Sequence, residues 1–258
     1  MTSNPYESPD TPESSIEHPQ GAPNFRIFGY VIGAVVILGL LVAFMTPMMF
    51  RGSAHGAARR VHCMNNMRQI SLALLNYESQ HGSLPPTYTV DEDGNRLHSW
   101  RTLILPYLEE KALYDSIDLT KPWDHPDNAE ARETDVYSFR CSSANLEEFE
   151  TTYLVANGSE FCFNGSTPRT LDEITDGTSK TVLVLDMPTE HAVHWMSPYD
   201  ADEESILAVN EDSDVGHSGI FIAVFCDGST RSFSVEQTPE ARRAMLTIAG
   251  GEDVGLDD

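Results

Sequence analysis

From Ile27 to Phe50 the chain runs for 24 residues without a charge, IFGYVIGAVVILGLLVAFMTPMMF. At about 1.5 Å per residue a helix of that length spans roughly 36 Å, against a bilayer core of about 30 Å. The run is too long for the apolar core of a signal peptide, and no small-residue cleavage site follows Phe50. The expectation is a single transmembrane helix over residues 27–50, kinked or stopped near Pro47. This one segment divides the chain. Ahead of it, residues 1–26 carry Pro5, Pro9, Pro12, Pro19 and Pro23 among Glu7, Asp10, Glu13 and Glu17, with almost nothing to bury. They read as a disordered acidic tail. Behind it, residues 51–238 are long enough to enclose a core, and residues 239–258 read as a short helix followed by a tail.

Periodicity organises the rest. Val61, Met64, Met67, Ile70, Leu74 and Tyr77 recur at steps of three and four, an apolar stripe on a helix over residues 57–81. Gly82 suits its C-terminal cap and Pro85-Pro86 stops it. A near-continuation of the membrane helix, interrupted at Pro47, Gly52 and Gly56, is expected. Residues 99–117 read as a second helix, with Pro106 weakening it or starting it afresh. Residues 151–156 and 180–186 read as strands, separated by a turn at Asp176-Gly177. Ile220 to Cys226 is seven apolar residues in a row, a strand buried on both faces, and Asp227-Gly228 after it signals a two-residue hairpin turn. Residues 230–235 alternate as the return strand. Helices followed by strands and long loops indicate an α+β fold, a long helix packed on an antiparallel sheet.

Asp and Glu number 40 against 16 Lys and Arg, for a formal charge of −24. Such a surface repels a phosphate backbone, so nucleic acid is not an expected partner. Two acidic groups, Asp200/Asp202/Glu203/Glu204 and Glu211/Asp212/Asp214, would suit Ca²⁺, though neither has the spacing of an EF-hand loop and solvated charge accounts for both. No other cofactor is expected. Cys63, Cys141, Cys162 and Cys226 are widely spaced with no C-x-x-C, which argues against a zinc site. Two disulfides would suit an oxidising compartment, with Cys63–Cys141, tying the long helix to a loop, as the preferred pair. Buried free thiols are the alternative. An enzyme would require a pocket where His217 or His194 meets a carboxylate, with His217 and Asp227 the pair to inspect; the expectation is that His217 instead braces the terminal hairpin. No phosphate loop, dinucleotide-binding glycines or nucleophile elbow occurs, and no enzyme activity is expected. Trp100, Trp123 and Trp195, with Tyr107, Tyr114 and Tyr199, could line a sugar platform, although core packing is the commoner fate of tryptophan.

Several segments taken together resemble one family. They are Ala57 to Asn66 with Cys63, Asn65 and Asn66; Gln69 to Tyr77; His81 to Pro86; Trp100; Ile104 to Glu109; Leu113-Tyr114; Pro122-Trp123; Cys141-Ser142-Ser143; Asp176-Gly177-Thr178-Ser179-Lys180-Thr181; Trp195; and His217, nine residues, then Asp227-Gly228. Their order is similar to that of the planctomycete type II secretion pseudopilin-like proteins, a domain of unknown function with a C-terminal His-nine-Asp-Gly motif. The resemblance implies a hydrophobic helix extending into a long helix on an antiparallel sheet, an extracytoplasmic (periplasmic) domain, and no established catalysis. It also singles out His217, Asp227, Gly228, Asp176, Gly177, Cys63, Cys141, Asn65 and Asn66 as motif positions. The chain departs from the pattern at its start: Gly29 and Gly33 are followed at the fifth position by Ala34 and Leu38, where family members carry Glu. That points to a permanently anchored relative.

Arg51, Arg59 and Arg60 behind the apolar run outnumber Arg26 ahead of it, which on its own favours a cytoplasmic domain. The resemblance favours the outside and is given more weight. The functional expectation is therefore a membrane-anchored structural or assembly protein of the cell envelope, self-associating or meeting other envelope and secretion proteins, with Gly29, Gly33 and Ala34 permitting close helix approach. An extracytoplasmic module binding a glycan, solute or cation is the alternative.

Overall fold

The computed structural model describes residues 25–251, with backbone alone for residues 25–28 and 42–55. The expected acidic tail and the final residues 252–258 lie outside the described residues. In chain order the elements are α1 (Phe25–His81), β1 (Tyr88–Val90), β2 (Arg96–Ser99), α2 (Trp100–Leu103), α3 (Lys111–Ser116), α4 (Ala129–Arg132), β3 (Glu150–Thr151), β4 (Tyr153–Leu154), β5 (Val182–Asp186), β6 (Val193–His194), α5 (Glu203–Ala208), β7 (Ile220–Phe225), β8 (Thr230–Ser234) and α6 (Pro239–Ala244). The protein is α+β with antiparallel sheets. It divides into two units, Met1–Arg51 and Gly52–Asp258.

In the first unit the described side chains belong to residues 29–41, part of the expected 27–50 span. Tyr30, Val31, Ile32, Val35, Val36, Ile37, Leu38, Leu40 and Leu41 are all at least half exposed. Among the described residues no helix is long and apolar enough to cross a membrane. The expected interruption at Pro47, Gly52 and Gly56 is corrected, because a single helical element covers all three.

In the second unit the end of α1 is where the sequence places it. Gly82 adopts φ +76 and its N–H closes on the Glu78 carbonyl at 2.7 Å. The buried stripe differs from the expected one. Cys63, Met67, Ile70, Ala73 and Leu74 are fully enclosed, whereas Val61 is 57% exposed. The steps 63, 67, 70, 74, 77 follow one face of a 3.6-residue helix, and Val61 lies well off that line. Enclosing each of Met67, Ile70 and Leu74 stabilises the unit by roughly 1.5–3 kcal/mol.

The central sheet has strand order β4-β5-β7-β8, antiparallel throughout. Alternation sorts its residues into two cores. Tyr153, Val184, Ile222, Val224 and Cys226 face the α1 stripe. Leu154, Leu185, Phe221, Ala223 and Phe225 face the other way, against Ile206, Met245 and Leu246 around α5 and α6. The seven-residue apolar run thus fills both sides of β7, as a strand covered on two faces must. The expected helix over 99–117 is corrected to α2, a 3₁₀ turn at Leu105–Tyr107 and α3, with Pro106 in the first turn of the 3₁₀ piece. The expected strand 151–156 is two short strands in different sheets. The hairpin turn is also one residue longer than expected. Gly228 N–H closes on Phe225 C=O at 2.9 Å, and Gly228 takes φ +82, so Cys226 and Asp227 are the central pair and Gly228 the left-handed residue that follows.

Candidate functional site

Alternation along β5 decides where its one charged residue points. Leu185 and Met187 face the α5/α6 core, so Asp186 between them is turned toward α1, with its side chain 2% exposed. Three further groups meet it there. Cys63 comes from the buried stripe of α1, Cys141 from the segment after the 3₁₀ turn Tyr137–Phe139, and His217 from the loop ahead of β7. Cys63 Sγ lies 3.2 Å from Cys141 Sγ. Cys141 Sγ lies 3.3 Å from Asp186 Oδ2 and 3.6 Å from His217 Nε2. His217 Nε2 lies 3.2 Å from the same Asp186 oxygen. The Thr152 hydroxyl donates to the other oxygen, Oδ1, at 2.6 Å and so fixes the carboxylate's rotation.

Local devices hold the loops in place. Asn66, almost fully buried, donates its amide to the Tyr137 and Arg140 carbonyls at 3.3 and 3.0 Å, clamping the segment before Cys141 onto α1. Gly216 takes φ +64, and a Cβ there would meet the Ser143–Ala144 backbone at 3.2–3.3 Å. Only glycine lets the His217 loop come so close to the Cys141 loop in that conformation. Ser218 is also left-handed, at φ +53, a strained setting for a non-glycine residue that the surrounding packing must hold.

Burial and mutual contact reshape the acidities. The hydrogen bond with Cys141 holds the Cys63 thiol below its usual range, against burial. The same bond, then burial and the charge of Asp186, push Cys141 up. Burial pulls His217 down, but Asp186 and Cys63 together outweigh it and lift the imidazole to about 9. Burial raises Asp186, with the bonds from His217 and Thr152 opposing. All four side chains are enclosed, so the arrangement suits a proton or an ion and gives an organic substrate no access to sulfur.

The motif positions singled out in the sequence separate into three places. Cys63, Cys141 and His217 meet as described, with Asn66 as their clamp. His217 does not meet Asp227, the carboxylate an enzyme reading would set beside it. The imidazole turns to Asp186, while the exposed Asp227 carboxylate accepts the Ser229 N–H at 2.8 Å in the hairpin turn. Asp227 and Gly228, with Asn65, Met64 and Arg68, line an open cleft of about 490 Å³. Asp176 is elsewhere, its carboxylate receiving the Gly250 and Gly251 N–H groups at 2.7 and 2.9 Å, beside Gly177 at φ +103.

The sequence reading missed several groups. In sequence Asp186 is the end of a strand, and its only signal is being the sole charge closing an apolar run. Arg101 and Asp200 form an enclosed ion pair at 2.5 Å, both side chains fully buried. Asp200 also accepts from Trp100 Nε1 at 3.1 Å and Val155 N–H at 3.0 Å. It is therefore not available to the acidic group it was placed in, and Asp202 of that group caps α5 through Ser205 N–H. Trp100 and Trp195 are core residues, each with its ring N–H bonded inside, so neither offers a ring face to a sugar. The other two cysteines, Cys162 and Cys226, also meet, at 3.3 Å and fully buried. All four are free thiols, including the expected Cys63–Cys141 pair.

No curated protein and no solved structure matches the chain. Residues 52–160, which include Cys63 and Cys141 but stop short of Asp186 and His217, match the model of a family described as a protein of unknown function (DUF1559).

Proposed function

We propose that the protein is a membrane-anchored, pseudopilin-like structural protein of the cell envelope, with its α+β unit extracytoplasmic, working by contact rather than turnover. One observation carries this reading. The nine large apolar side chains from Tyr30 to Leu41 stand at least half exposed, and at 100° per residue they fall on every side of the helix. A helix that is apolar all round wants a cover all round, which lipid supplies and a single protein groove does not. The uncharged sequence continues to Phe50, giving a length that suits a bilayer. The enclosed arrangement of Cys63, Cys141, Asp186 and His217 is in keeping with a non-catalytic role.

The test is membrane partitioning of the full chain. Wild-type protein should remain with the membrane pellet after alkaline carbonate extraction, and the double substitution Val35→Asp/Leu38→Asp should release it. Protease added to intact spheroplasts should remove the α+β unit while a cytoplasmic marker survives. A wild-type chain recovered in the carbonate supernatant would overturn the anchor, and protection from protease would overturn the orientation.

A further inference from the structure

We propose that Cys63, Cys141 and His217 hold a borderline-soft divalent metal ion, zinc, with Asp186 moving in as the fourth ligand. The proposal does not depend on the membrane anchor. It starts from the donor set. Two sulfurs, an imidazole nitrogen and a carboxylate oxygen are drawn from four separate segments and enclosed together. The ligating atoms of Cys63, Cys141 and His217 all lie within 4.8 Å of one another. Two thiolates with an imidazole and a carboxylate are ligands that zinc accepts in tetrahedral geometry.

The separations can be set against those a tetrahedral zinc requires. With Zn–S about 2.3 Å and Zn–N and Zn–O about 2.0–2.1 Å, a regular tetrahedron has edges of about 3.8 Å between sulfurs, about 3.6 Å from sulfur to nitrogen or oxygen and about 3.4 Å from nitrogen to oxygen. The corresponding separations are 3.2 Å for Cys63–Cys141, 3.6 Å for Cys141–His217, 3.3 Å for Cys141–Asp186 and 3.2 Å for His217–Asp186. Three of these edges fit within a few tenths of an ångström, while Asp186 stands outside the 4.8 Å cluster and must move toward Cys63 to close the fourth corner. The sulfur pair must open by about 0.6 Å to hold zinc.

The surroundings are those of a ligand cage. Thr152 bonds the Asp186 oxygen that faces away and leaves Oδ2 directed at Cys141 and His217, the kind of outer contact that orients a ligating carboxylate. Asn66 and Gly216 fix the two loops that bring Cys141 and His217. Cys162 and Cys226 have the same spacing but no imidazole or carboxylate bonded to either sulfur among the described residues, so they form no such cage. Binding would displace the thiol protons and any proton on His217, so the loaded site would release its metal in acid.

The test is metal content of the full chain, purified in detergent from cells grown with zinc. The expected result is about one zinc per chain for the wild type and for Cys162→Ser, and a loss of at least about tenfold for Cys63→Ser and His217→Gln. Wild-type protein stripped with a chelator, shown by circular dichroism to remain folded, should take up about one equivalent of Zn²⁺ on titration. It should also take up Co²⁺ with the intense visible bands and sulfur charge-transfer absorption of a tetrahedral thiolate site. This wild-type arm does not depend on whether any variant folds. Absence of zinc from the wild type together with no uptake by the stripped chain would overturn the proposal. So would zinc retained by Cys63→Ser, or a wild-type chain carrying a Cys63–Cys141 disulfide in peptide mapping.

Discussion

Two couples of cysteines lie in the same core, and they are alike in every respect but one. Cys63 and Cys141 are 3.2 Å apart, Cys162 and Cys226 are 3.3 Å apart, and all four are buried. The first couple touches His217 and Asp186, while the second has only its own sulfurs as polar side-chain partners among the described residues. Proximity brings two sulfurs together, and neighbours decide what they can do. Next to an imidazole and a carboxylate, a thiol can give up its proton to a base or a metal. Among apolar neighbours it stays protonated: its partner Cys162 and burial together push Cys226 well above the ordinary thiol range.

The largest expected effect comes from oxidation. Treating zinc-loaded protein with a disulfide oxidant should close Cys162–Cys226, the two thiols passing two electrons and two protons to the oxidant, and leave Cys63 and Cys141 open. Closing the loop from 162 to 226 should raise unfolding free energy by about 4 kcal/mol on the chain-entropy account, read as a higher melting temperature with the linked peptide in a digest. If the Cys63–Cys141 link forms first, the two couples do not differ as described.

Next is the cost of removing a neighbour. In chelator-treated protein His217→Ala leaves the Asp186 carboxylate buried without its partner and should cost about 3 kcal/mol. Cys226→Ala removes one sulfur's worth of packing and should cost about 1 kcal/mol. Denaturant melts of the two variants should therefore differ clearly, and equal losses would mean the His217–Asp186 contact contributes nothing. Between these lies Gly216→Ala, which forces a Cβ against the Ser143–Ala144 backbone at a left-handed φ and should cost about 1–2 kcal/mol. Its distinguishing sign is local: Cys63 and Cys141 should react faster with a thiol reagent under native conditions, with Cys162 and Cys226 unchanged.

A control lies outside both couples. Burial, then the positive charge of Arg132, hold the His194 imidazole down at about 4, and its neutral Nδ1 accepts the Met196 N–H at 3.2 Å. The stability that this neutral form contributes is complete above about pH 6.5 and is lost as pH falls toward 4, because the unfolded chain takes up the proton first. His194→Gln should flatten the fall in melting temperature over that window and leave the reactivity of all four cysteines as it is.

Much of this architecture is legible in the sequence because it rests on short-range periodicity. The Gly82 cap, the buried run of β7 and the apolar face of α1 from Met67 to Tyr77 follow from spacings of two or of three and four. Pro106 hid a 3₁₀ turn inside what reads as one helix, since a proline that starts one helical turn looks the same in sequence as one that interrupts another. Cys63 was read as a possible bond partner for Cys141, and the two do meet. Asp186 was not read at all, because an acidic residue ending an apolar strand is ordinary and nothing local says which way it faces.

By itself the sequence determined a long uncharged run, an acidic exterior, an α+β order and the residues of a motif spread from Ala57 to Gly228. Those are properties of composition and local period, which act along the chain. Only the tertiary structure decided that His217 turns to Asp186 rather than Asp227, that Arg101 finds Asp200, and that four thiols form two couples of different character. Those choices depend on which segments the sheet and α1 bring within a few ångströms of one another, where burial strengthens every polar contact and leaves any unmatched one costly.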